Sequence, residues 1–80
     1  MQPELQKYYE DRFTMMSSPG WKDLMEDVNN MVKVYSNISN IDNVDSFWKN
    51  KGYLEMLIWL QNLKQVSEMA YEDLMNEENL

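Results

Sequence analysis

Apolar residues recur at helical intervals along almost the whole chain. Between Pro3 and Met16, the residues Leu5, Tyr9, Phe13 and Met16 are spaced four, four and three apart, which is the stripe of one helix face. Tyr8 and Met15 widen that face, while Lys7, Glu10, Asp11 and Arg12 occupy the rest of the circumference. Pro3 suits the first helical position, where its missing N–H is not needed, and Glu4 complements the positive end of the helix dipole. A first helix is therefore predicted over about 3–16. Ser17-Ser18-Pro19-Gly20 ends it, because proline disfavours helical geometry in the residue before it and clashes with a continuing turn. The same residues open a second helix, with Ser18 as N-cap and Pro19 in the first turn.

From Trp21 the apolar positions are Trp21, Leu24, Val28, Met31, Tyr35 and Ile38, alternating by three and four. Such a heptad row lies nearly parallel or antiparallel to a neighbouring helix. Met25 and Val32 add a flanking row, and the helix is predicted over about 19–39. The residues Ser36 to Asp45 are poor helix formers that bond their own backbone, so a turn is expected near Asn40 to Asn43. Ile38, Ile41 and Val44 are expected to close the end of the core, and Asp45 or Ser46 to cap a third helix over about 45–76.

The third helix carries a second heptad row, Met56, Leu60, Leu63, Ser67, Ala70 and Leu74. Leu54, Leu57, Ile58 and Trp59 cover the other sides of the same turns, which predicts burial nearly all round. Gly52 costs about 1 kcal/mol against Ala inside a helix. Continuity of the apolar face through Phe47, Leu54 and Ile58 favours an unbroken helix, with Gly52 as the point where Trp21 or the first helix comes close. A break at Gly52 is the alternative. Beyond Leu74 the residues are acidic and polar, and acids at a helix C-terminus oppose the dipole, so 76–80 is expected to be a frayed tail. The fold class expected is all-α: one domain over 1–80, a long antiparallel helical hairpin with a shorter N-terminal helix.

Two helices of roughly 20 and 30 residues span on the order of 30 and 45 Å, too slender a pair to surround its own seams. Eighty residues with no Cys and no His exclude disulfides and thiolate or imidazole zinc sites, two usual supports of small domains. Surplus apolar surface is therefore expected, with a homo-oligomer or a larger protein covering it. Trp48, Tyr53 and Trp59 are the expected anchors. Among the eight Met residues, Met31 and Met56 are expected in the core. Met15, Met16, Met25 and Met69 are expected at a re-packable interface, since the thioether chain is flexible and polarisable.

Charge and chemistry narrow the partner. Fourteen acidic against seven basic residues give a net charge of -7, which repels nucleic acid and anionic lipid. No segment approaches the roughly 20 apolar residues that a bilayer demands. With no His, no Cys and no activated Ser, the chain is expected not to be an enzyme, and no cofactor, metal or small-molecule substrate is expected. Pairs such as Glu68 with Glu72 and Glu26 with Asp27 read as a solvated face, and Asp42 and Asp45 as residues of a turn.

The stretch Phe13 to Lys22, with its Pro19-Gly20-Trp21 corner, and the stretch Phe47 to Leu57, with Lys51-Gly52 before a Leu-rich helix, resemble small helical proteins of short-tailed bacteriophages and their relatives. The resemblance implies a virion component or assembly factor, located in the particle or the host cytoplasm, with no catalytic residues. An acidic regulator that binds a host polymerase or nuclease is the alternative suggested by the charge.

Overall fold

The computed structural model describes residues 1–78, and they form three α-helices joined by two short corners. Helix α1 spans Pro3–Met16, α2 Pro19–Tyr35 and α3 Val44–Glu78, with a 3-10 turn at Ile38–Asn40. No strand occurs among the described residues. The all-helical class and the three-helix arrangement are those that the apolar spacing predicts.

Local chemistry explains each corner. At the first, the Trp21 N–H donates to Ser18 Oγ at 3.2 Å, while the Ser18 hydroxyl donates to the Met15 carbonyl at 2.6 Å. One side chain thus closes α1 and opens α2, with Pro19 in the first turn as expected. At the second corner α2 stops at Tyr35, short of the predicted 39. Asn37 Oδ1 accepts from the Ser39 N–H at 3.1 Å and the Ser39 hydroxyl at 2.6 Å, and this local bonding competes with the helical ladder. The cap of α3 is Asn43, whose Oδ1 accepts from the Ser46 N–H at 2.8 Å, and not Asp45 or Ser46. Ile38 and Val44 stay exposed instead of closing the core, and only Ile41 turns inward.

Helix α3 is unbroken through Gly52, but the close neighbour expected there is absent: a Cβ at Gly52 would meet nothing within 4 Å. At its other end the helix continues through Glu78, past the point where the acidic pattern predicts fraying. Adding a residue to a formed helix needs no new nucleus. Asn79 and Leu80 of the predicted tail lie outside the described residues.

A 35-residue helix is about 52 Å long, and α3 accordingly sets the longest dimension of a molecule measuring 53 × 28 × 16 Å. Helix α2 runs antiparallel to the N-terminal half of α3: Asn50 Nδ2 approaches the Tyr35 carbonyl at 3.5 Å, and Gln61 Nε2 donates to Asn29 Oδ1 at 2.9 Å. Helix α1 meets the C-terminal half. Tyr9 and Phe13 set their rings 5.9 and 5.6 Å from that of Tyr71, both edge to face. Arg12 Nη1 donates to Ser67 Oγ at 3.1 Å, the guanidinium carbon lies 4.6 Å from the Tyr8 ring centre, and Nη2 donates to the Tyr8 hydroxyl.

The rows that meet are not all the rows predicted. In α2 the inward side chains are Trp21, Met25, Val28, Val32 and Tyr35, so the flanking row of Met25 and Val32 takes part in the seam while Leu24 and Met31 are left half-exposed. In α3, Leu57 points inward and Met56 is 62% exposed. Met31 and Met56 are thus surface residues and not core. Nor is the stretch around Trp59 enclosed, since Ile58 and Trp59 are both exposed. The reason is rotational: neighbours in sequence sit about 100° apart around a helix, and the seam selects one of them.

Candidate protein-docking surface

Very little of this chain is buried. Among the described residues the buried side chains are Met16, Val28 and Ser67, each 4% exposed or less. A compact folded monomer of 9.7 kDa exposes about 5,100 Å², whereas this chain exposes 6323 Å². Its radius of gyration is 16.9 Å, against about 12 Å for a compact 80-residue domain. The surplus of roughly 1,200 Å² exceeds the about 800 Å² per partner of a standard protein interface.

Most of the large apolar side chains left exposed lie on α3. Trp48, Met56, Trp59 and Val66 are each more than half exposed, and with Gly52 between the first two they follow intervals of four, four, three and seven. Half-buried Leu63 and Ala70 complete the row at the intervening and following heptad positions. This stripe lies about a quarter-turn or more round α3 from the seam against α2. The positions that make up the row are all uncharged, with the Lys51 ammonium lying over the Trp48 ring at its N-terminal end. Where the stripe borders α2, Met31, Tyr35, Tyr53, Met56 and Leu57 line a shallow apolar dimple, with the Tyr35 and Tyr53 rings 5.2 Å apart.

The expected interface residues divide accordingly. Trp48 and Trp59 stand on the outer stripe. Trp48 packs edge to face on Phe47 at 5.2 Å, and Lys51 Nζ lies 5.2 Å from its ring centre. Tyr53, half exposed, borders the dimple. Met69 is exposed on α3 but one position off the stripe, and Met15 is exposed on α1. Met25 is half-buried beside Trp21, lining an open recess at the first corner with Met16 and Lys64. Met16 is a correction: at 4% exposure it is core, because it ends α1 at the corner where all three helices meet. Met31, Met56, Val66 and Leu24 belong to the exposed apolar surface and were not expected on it. The signal was present in the sequence as an alternative heptad row through Met56, Trp59, Leu63, Val66 and Ala70.

The chain matches no protein-family model, no curated protein and no solved structure. What it offers chemically is therefore read from the surface alone. Among the described residues no three acidic side chains converge in a way that could hold a metal ion, and no helix is long and apolar enough to cross a membrane. Charge is distributed unevenly along α3. Lys49 and Lys51 lie near its start, whereas Glu68, Glu72, Asp73 and Glu77 crowd its last three turns. On α1 the Lys7 ammonium donates to Asp11 at 2.5 Å. That hydrogen bond, and then the Asp11 charge, hold the Lys7 pKa above the ordinary lysine value.

Proposed function

We propose that this is a non-enzymatic protein that works by laying apolar helical surface against other protein, as a structural or assembly component of a tailed-phage virion. The observation that carries the docking part is the uncharged stripe from Trp48 to Ala70 on a chain that exposes 6323 Å². A soluble monomer gains nothing from leaving two tryptophans on one helix face in water, since such patches mark interaction sites. The phage part rests on the resemblance of the Phe13–Lys22 and Phe47–Leu57 stretches. Mass spectrometry of purified particles and of assembly intermediates tests it, with the protein expected in one or both. Its absence from both would sink the virion role.

A second reading is favoured by one observation, the acidic end of α3 with Glu68, Glu72, Asp73 and Glu77: a regulator that binds a basic surface on a host enzyme such as a polymerase or nuclease. Salt separates the two. An electrostatic contact releases its partner as ionic strength rises from about 0.1 to 1 M, where the screening length falls from about 10 to 3 Å, while an apolar contact holds. Capture from host lysate at both salt concentrations reads the difference.

A further inference from the structure

We infer that the outer stripe of α3 is covered by the same stripe of a second copy of this chain, with the two α3 helices antiparallel and Trp59 at the two-fold axis. This deepens the docking reading by naming the occupant, and it rests on that reading only in taking the stripe to be an interface.

Three independent features point to a second copy. The first is size: the surplus surface on each chain, roughly 1,200 Å², is enough for one half of a standard interface at about 800 Å² per partner.

The second is the order of residue sizes along the stripe. Registered about Trp59, an antiparallel pairing sets Trp48 opposite Ala70 of the partner copy and Gly52 opposite Val66, with Met56 within one residue of Leu63. Large side chains thus meet small ones at both ends, as knobs meet holes. This also accounts for Gly52. It lies mid-helix where a Cβ would touch nothing of its own chain within 4 Å, so the bare backbone has no intramolecular packing role. A backbone without a side chain lets another helix approach closely.

The third is charge. The N-terminal third of α3 balances Lys49 and Lys51 against Asp45 and Glu55, whereas the C-terminal third carries Glu68, Glu72, Asp73 and Glu77 with no base. Antiparallel pairing brings the balanced, lysine-bearing third of each helix beside the acidic third of the other. Parallel pairing would set the two acidic thirds side by side, which like charges oppose. Self-complementarity of this kind is what a two-fold interface requires, since one patch serves both sides. Met31 of α2 borders the stripe beside Met56, so a partner seated there also touches the hairpin.

The test uses the full chain. Sedimentation equilibrium at micromolar concentration is expected to give twice the chain mass. Trp59→Glu is expected to weaken dimerisation at least tenfold while the helical circular dichroism is retained, because Trp59 is 56% exposed in the single chain. Orientation is read by oxidation, which the absence of native cysteine makes clean. A mixture of Gly52→Cys and Val66→Cys chains is expected to cross-link between the two variants, with little linking of either variant to itself. A monomeric wild-type chain, or an unchanged mass for Trp59→Glu, overturns the dimer. Self-linking of each variant alone overturns the antiparallel register. A monomer that is still found in virions defeats this inference and spares the docking reading, whereas a dimer absent from particles upholds this inference and defeats the virion role.

Discussion

Met16 and Met56 are the same residue type in opposite situations, and the difference is geometric. Met16 is 4% exposed at the junction of three helices, and Met56 is 62% exposed on the outer stripe. Truncating a buried methionine to alanine costs about 2 to 5 kcal/mol through lost transfer energy and the cavity left behind. Met16→Ala is therefore expected to unfold much of the population of so small a domain, while Met56→Ala changes the isolated chain by less than about 1 kcal/mol. Urea unfolding at high dilution checks both. Ser67, the one buried polar side chain among the described residues, is tolerated there because Arg12 donates to it from α1. Replacing Arg12 with Lys keeps the charge but not the planar fork that reaches Ser67 and Tyr8 together. A loss of about 1 kcal/mol is expected for Arg12→Lys in the same assay.

At the scale of the helices, the boundaries come from a few side chains acting locally. Ser18 and Asn43 each accept the backbone N–H three residues on, so Ser18→Ala and Asn43→Ala are each expected to cost about 1 kcal/mol. Thermal unfolding of the two single variants measures it. Gly52 runs the other way. Because a Cβ there meets nothing within 4 Å, Gly52→Ala is expected to stabilise the dilute chain by about 1 kcal/mol through helix propensity, read as a shift of the urea midpoint. The Ser17–Gly20 corner and the continuity of α3 were legible for this local reason. The end of α2 was less so, since Asn37 halts the helix by bonding Ser39 and not by any break in apolar spacing.

The whole molecule is long and thin because α3 is longer than either helix packed on it. With α1 on one half and α2 on the other, α3 is covered along one side only. Such a fold has little core to spare, and any partner that binds the folded chain adds stability by mass action. The melting midpoint is therefore expected to rise with protein concentration over roughly a hundredfold range. Differential scanning calorimetry at the two extremes checks it, and a constant midpoint would indicate a chain that stands alone.

Helix number, helix order and the position of the first corner follow from spacing, caps and breakers, all of which act over a few residues. The composition likewise leaves no Cys, no His and a net charge of -7 to work with. Which of two adjacent rows faces inward could not be read in the same way. Met56 and Leu57, Met31 and Val32, or Leu24 and Met25 are sequence neighbours about 100° apart on helices that are apolar over more than one face. Either row satisfies a heptad rule. The choice between them depends on how three helices of unequal length fill one another's grooves at once, and only their packing leaves Trp48, Met56, Trp59 and Val66 facing out.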